Sequence, residues 1–364
     1  MNDAPPSDRP VKAETGRRAA RQQASTSAAK TINLALQGGG AHGAFTWGVL
    51  DRLLEEEKLA YEGISATSAG AMNAAVVAYG MTIGGREGAR KALTNFWRRI
   101  SHSSQSSPLQ PSPMDRLMKD HSLRWNPAFV FFDMLTRLMS PYEFNPMNFN
   151  PLRDVLEQSV DFDVLKREDC PIKLFLSATN VRTGKVKIFR HHELSPDAVL
   201  ASACLPFLFQ AVEIDGEAYW DGGYMGNPAL YPLIYHTASN DILIVHINPL
   251  ERKELPRTAT DILNRINEIS FNSSLMREMR AIGFVTKLIE DKSVNDPSLR
   301  HILIHGIAAD ELMTGLGVAS KLNADWEFLT HLRDVGRVHA EQWLSNCYAK
   351  IGVESTVDIR ERFL

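Results

Sequence analysis

The sequence predicts an α/β protein in which helices cover a central, mostly parallel sheet. Three observations carry that reading. Ile32 to Leu36 is a short apolar run that ends in the turn Gly38-Gly39-Gly40-Ala41-His42-Gly43 and then opens a helix-like segment. Gly63 to Ser65 does the same through Ala66-Thr67-Ser68-Ala69-Gly70. Further on, Asp241 to Ile247 is a continuous apolar run, the pattern of a strand buried on both faces of a parallel sheet. Strand-like and helix-like segments alternate between these landmarks, as layered α/β folds require.

In chain order, residues 1–30 are rich in Ala, Ser, Gln, Pro and Arg and lack an apolar centre, so they read as a mildly basic disordered tail and not as a signal peptide. Arg17, Arg18 and Arg21 are too few to hold a membrane strongly, at about 1 kcal/mol each near an anionic surface. Order is expected from Thr31. After the glycine turn, Phe45, Val49, Leu50, Leu53 and Leu54 recur at helical spacing. Ala69 to Tyr79 is nearly all small and apolar, which suits a helix buried on every side.

Ser101 to Pro113 is dominated by Ser, Pro and Gln and reads as a loop leaving the core, opening a helical insertion over about 101–160. Within it, the aromatic and methionine stretch from Trp125 to Met139 fits either ordinary core or an apolar cap over a lipid site. Lys173 to Ala178 and Lys185 to Phe189 read as strands joined at Thr183-Gly184, and Ala211 to Ile214 as another before the turn at Asp215-Gly216. His301 to His305 is a further short strand. Thr258 to Glu290, capped by Thr258-Ala259-Thr260-Asp261, and Ala324 to Leu344 carry helical periodicity. The organisation is thus a tail, a catalytic domain over 31–248, and a helical extension over 249–364 that packs one further strand on it.

Bulk properties exclude several classes. A net charge of −3 with basic and acidic residues mixed along the chain gives no nucleic-acid signature. Cys170, Cys204 and Cys347 lack metal-ligand spacing and are odd in number, which favours a reducing, cytoplasmic setting over a disulfide framework. No apolar run approaches the roughly 18 residues of a membrane span, which leaves at most peripheral membrane contact. Neither a metal nor a cofactor is implied.

Parallel strands joined by a helix place both turns on one edge of the sheet. Backbone N–H donors then sit beside a serine on a sharp strand-to-helix turn, the requirement for attack on a carbonyl carbon. Gly38, Gly40 and Gly43 also spell the dinucleotide fingerprint G-x-G-x-x-G. That fingerprint needs an acid about 20 positions on, at the end of the second strand. Here that strand ends at Ala66-Thr67-Ser68, and Glu55, Glu56 and Glu57 fall too early. A third feature, Trp220-Asp221-Gly222-Gly223, can bring a carboxylate to another loop, although Asp-Gly alone reads as an ordinary turn.

Taken together and in this order, Gly38-Gly39-Gly40-x-x-Gly43, x-x-Ser68-x-Gly70 and Asp221-Gly222-Gly223 resemble the patatin-like phospholipase family, over Thr31 to about Asn248. Ser202 to Phe209 is similar to the segment before that family's aspartate. The resemblance implies a three-layer α/β/α sandwich and a Ser-Asp dyad without a catalytic histidine. It implies Ser68 as nucleophile, Asp221 as base, and the backbone N–H groups of Gly38, Gly39, Gly40 and Ala41 as oxyanion hole. The implied substrate is an acyl ester of a phospholipid or lysophospholipid; a neutral ester, thioester or polyester stays open. The chain departs from the family pattern at His42, usually Arg or Lys, at Ala66, usually Gly, and at Gln210, usually Pro. Two rivals remain. One is an α/β-hydrolase triad with Asp221 or Asp241 and His301 or His305, although that fold separates its oxyanion loop and elbow by strands. The other is a phosphate- or nucleotide-binding module in which Ser68 only packs.

Overall fold

The computed structural model describes residues 29–105, 126–294, 296, 298–317 and 319–364. The basic tail with Arg17, Arg18 and Arg21, and the insertion residues from 106 to 125, lie outside them. Eight strands form one sheet: β1 Lys30–Leu36, β2 Leu59–Ala66, β3 Lys173–Asn180, β4 Val186–Phe189, β5 Val212–Ile214, β6 Glu217–Asp221, β7 Asp241–His246 and β8 Leu303–Ala308. Their order is β5-β6-β3-β2-β1-β7-β8, with β4 also on β3. Strands β3, β2, β1, β7 and β8 are mutually parallel, whereas β4, β5 and β6 form an antiparallel flank.

Alternation along the strands builds two cores. Leu34, Leu36, Leu243 and Val245 point into one, and Ala35, Ile242 and Ile244 into the other. The first core is closed by helices α1 (Gly43–Leu53), α2 (Ala69–Ser104), α4 (Pro196–Ser202) and α6 (Trp326–Cys347). The second is closed by α5 (Ala259–Glu290), through Leu275, Met279 and Ile282, together with Phe363. A sheet buried on both faces is the expected three-layer α/β/α arrangement. Among the described residues, no helix is long and apolar enough to cross a membrane.

Several boundaries differ from the sequence expectations. Strand β1 starts at Lys30, whose ammonium donates to the carbonyls of Tyr348, Ala349 and Ile351 and so belongs to the sheet edge. Helix α2 does not stop near Tyr79. It continues through a break at Gly84 and Gly85, where Gly85 has φ +60°, because Leu93, Phe96 and Trp97 extend its buried face. Ser101 to Ser104, expected in a loop, are its last turn. The strand expected at His301 to His305 instead spans Leu303–Ala308, where pairing with β7 from Asp241 to His246 sets its register. Strand β6 went unread, since its five residues alternate too briefly between turns. In the insertion, α3 (Pro127–Leu138) is capped by the Asn126 side chain. Its Phe129 packs on Ala319 and Leu322.

Candidate active site

Parallel pairing of β1 with β2 sets Leu36 beside Ala66, so the glycine turn and the Ser68 turn leave the sheet at the same edge. Their contact is intimate: a Cβ on Gly38 would lie 2.6 Å from the Ser68 Cβ. Gly43 meets Ala69 in the same way, at 2.7 Å, and Gly70 abuts the Leu36 carbonyl. Small residues at these positions are therefore what lets α2 start directly behind the elbow. Ser68 itself has φ +55° and ψ −123°, a conformation that costs a non-glycine residue about 1–3 kcal/mol. Its N–H donates to the Ser202 hydroxyl at 2.9 Å, which holds the strained turn from outside. Helix α2 starts directly after Ser68, which places the positive end of its dipole beside the serine.

Asp221 ends β6, next to Ala178 of β3, and is fully buried. Its Oδ1 accepts from the Gly223 N–H at 2.7 Å, while Oδ2 has no hydrogen-bond partner. Gly222 lies against the Ser177 carbonyl and Gly223 against Asp221 and Phe271, so side chains there would displace the carboxylate. Burial pushes the Asp221 carboxyl up to about 7, against the opposing pull of the Gly223 N–H, the Ser68 hydroxyl and the Lys321 ammonium. The Ser68 hydroxyl thus lies near enough to draw the carboxyl down, while Asp221 Oδ2 stays without a hydrogen-bond partner.

The four glycine-loop positions do not behave alike. The Gly38 N–H, expected to face an oxyanion, donates instead to Asn227 Oδ1 at 2.7 Å. Its carbonyl accepts from Asn248 Nδ2 at 2.7 Å, so the Gly38 peptide is a fixed floor and not a free donor. Gly39, Gly40 and Ala41 begin a short 3-10 turn, where N–H groups have no partner within the turn. Gly40 and Ala41 line a cavity of about 550 Å³ together with Ser68. Its walls include Met72, Phe96, Trp97, Phe132, Leu208 and Phe209, so the space beside Ser68 is predominantly apolar. Ala66 is buried at the end of β2 and is accommodated without strain.

His42 is buried, and its Nε2 pairs with the Ser320 hydroxyl at 2.8 Å. Burial, and then the Lys321 ammonium, hold its imidazole well below its ordinary range, so the loop itself carries no cation. Four residues that sequence reasoning missed, or to which it gave no role, complete the site: Ser202, Asn227, Asn248 and Lys321. Ser202 opens the segment already noted before Asp221, but nothing local marks its bond to Ser68, and Asn227, Asn248 and Lys321 carry no local signal, because each reaches the turns from a distant segment.

The rival triad is not assembled. Asp241 and His305 pair with each other at 2.9 Å, but Asp241 begins β7, at the sheet edge opposite Ser68. His301 lies exposed near Glu290.

The patatin-like phospholipase family model matches residues 34–234. The chain is also similar to VipD from Legionella pneumophila, at 16% identity and a TM-score of 0.40, covering 86% of this chain and 66% of that one. A second similar structure holds full-length SpcU in complex with full-length ExoU, from the type III secretion system of Pseudomonas aeruginosa. Its identity is 14% and TM-score 0.30, over 87% and 53% of the two chains. A structure of the ExoU-SpcU heterodimer gives 18% identity and a TM-score of 0.33, over 91% and 74%. The chain thus spans just under two thirds of the matched VipD chain and about half of the longer ExoU-SpcU match. No curated protein matches it.

Proposed function

Because the chain belongs to the patatin-like phospholipase family, we propose that it is a lipid acyl hydrolase working through Ser68 and Asp221. The observation that carries this reading is the meeting of a strained, buried serine and an unpaired carboxylate oxygen beside an apolar cavity. In the first half-reaction Asp221 takes the Ser68 proton as Oγ bonds to the ester carbonyl carbon. The carbonyl oxygen becomes an oxyanion facing the Gly39, Gly40 and Ala41 N–H groups, each such donor being worth about 3 kcal/mol in comparable sites. Collapse of the intermediate breaks the ester C–O bond, and the proton on Asp221 leaves with the alcohol. In the second half-reaction water gives a proton to Asp221 and attacks the acyl-enzyme; that proton returns to Ser68 as the carboxylic acid departs.

A base with a pKa near 7 suits this role better than an ordinary aspartate, because proton transfer is most effective when the pKa lies near the working pH. The apolar walls support an acyl chain as the group held, with phospholipid or lysophospholipid acyl esters as substrates. Val130, Phe131, Met134 and Leu138 of α3 are all at least half exposed, which supports approach to a lipid surface from that side.

A fluorophosphonate probe tests the reading. It should label the wild type at Ser68, and Ser68→Ala should abolish both labelling and hydrolysis of p-nitrophenyl acyl esters. A Ser68→Ala enzyme that hydrolyses these esters at the wild-type rate would remove the dyad.

A further inference from the structure

The segment that closes the glycine loop from behind comes from the far end of the chain. Ala319–Leu322 forms a short 3-10 turn against it. Gly40 has φ +60° and sits on the Lys321 carbonyl, so a side chain at position 40 would strike that backbone. Ser320 bonds the buried His42. Lys321 Nζ donates to Asn248 Oδ1 at 2.9 Å, and Asn248 Nδ2 donates in turn to the Gly38 carbonyl at 2.7 Å. One ammonium is thus two hydrogen bonds away from the floor of the loop that touches Ser68.

Burial pushes this ammonium down from its ordinary range, and the charges around it are few. From α5, Glu268 faces it, but Glu268 already forms ion pairs with Arg252 and Arg265. Arg252 adds a like charge from the segment before α5. On the catalytic side stands Asp221, whose other neighbours, Ser68, Gly223, Cys204 and Tyr224, carry no positive charge. With His42 held neutral, Lys321 is the cation within electrostatic reach of that carboxylate among the described residues.

We propose that Lys321 is the positioning residue of this site: it holds the glycine loop through Asn248, and its ammonium favours the carboxylate form of Asp221 for proton transfer. The inference rests on the hydrolase reading above and gives the C-terminal extension a role in it. Both functions act through other groups, so Lys321 is no catalytic residue. Glutamine in its place keeps a hydrogen-bond donor but loses the charge, whereas arginine keeps both.

The experiment uses full-length wild type, Lys321→Gln and Lys321→Arg, with kcat/KM for a soluble short-chain p-nitrophenyl ester followed against pH. Folding is checked by circular dichroism melting. Lys321→Gln is expected to lose about tenfold in kcat, and its acid limb should move to higher pH by roughly half a unit or more. Lys321→Arg should keep the wild-type limb. A glutamine variant with the wild-type rate and limb overturns the inference, as does a slowed variant whose limb stays in place, because a purely structural lysine would give that result. If the glutamine variant does not fold, Lys321→Met takes its place, with the same expected and overturning outcomes. A wild type that neither reacts with fluorophosphonate nor hydrolyses esters overturns the hydrolase reading itself, which separates that failure from failure of the inference.

Discussion

The backbone N–H of Ser68 donates to the hydroxyl of Ser202, the last residue of α4, at 2.9 Å. Ser202 is fully buried and immediately precedes Ala203, one of the cavity-lining residues. A left-handed serine at a strand-to-helix turn has no neighbour in its own segment to satisfy that N–H, so the bond from α4 is what offsets the strain of the elbow.

Ser202→Ala should therefore harm the turn more than its size suggests. Removing the hydroxyl leaves a buried N–H without a partner, at a cost of about 1–3 kcal/mol. Urea denaturation should report that loss. With the elbow free to relax, kcat for ester hydrolysis should drop by about tenfold while the protein remains folded, since a small misplacement of a reacting group is costly. An unchanged kcat would mean that the elbow is held by its own segment.

What the sequence made legible, and what it hid, follows the range of the interactions. The glycine turn, Ser68 and Asp221-Gly222-Gly223 are local turn chemistry, and each stands out against the apolar strand before it. The parallel core was equally readable, because β1 and β7 are buried on both faces and lose the usual alternation. Ser202 lies 134 residues from Ser68, and Ser320 lies 278 residues from His42. No periodicity or turn signal marks residues that act across such separations. The Gly38 N–H illustrates a subtler limit: its place in a glycine loop was evident, but its capture by Asn227 depends on a loop 189 residues away.

The buried Asp221 couples activity and stability to pH in opposite directions. Its carboxyl is raised from 3.8 to about 7, so kcat/KM should climb through an acid limb near neutrality and level off above it. For stability the sign reverses. Below the unfolded pKa both states hold the proton and nothing is lost. As pH rises from there through about 7, the unfolded chain ionises first, and folding loses up to about 4 kcal/mol. Asp221→Asn should be inactive yet gain stability relative to wild type, by about 2–3 kcal/mol more at pH 8 than at pH 5. Glu278, also raised to about 7 by burial, is present in both proteins and cancels from the comparison. Urea melts at the two pH values measure it, and a pH-independent gap would show that Asp221 is not buried as a charge.

The pairing of Asp241 with His305 makes the remaining prediction, because an acid bonded to a histidine invites a triad reading. Asp241 Oδ1 also accepts from the Gly352 N–H at 2.7 Å, and His305 Nδ1 bonds the Thr356 hydroxyl at 3.2 Å. The pair is therefore tied to the chain after α6, at the edge of the sheet away from Ser68. His305→Ala should cost about 1–3 kcal/mol, since it strips a partner from a buried carboxylate. Its kcat per fluorophosphonate-reactive site should match wild type within about twofold, because no step of a Ser68–Asp221 mechanism routes a proton through it. Loss of a hundredfold or more in kcat from a folded His305→Ala protein would instead place that histidine in the proton path.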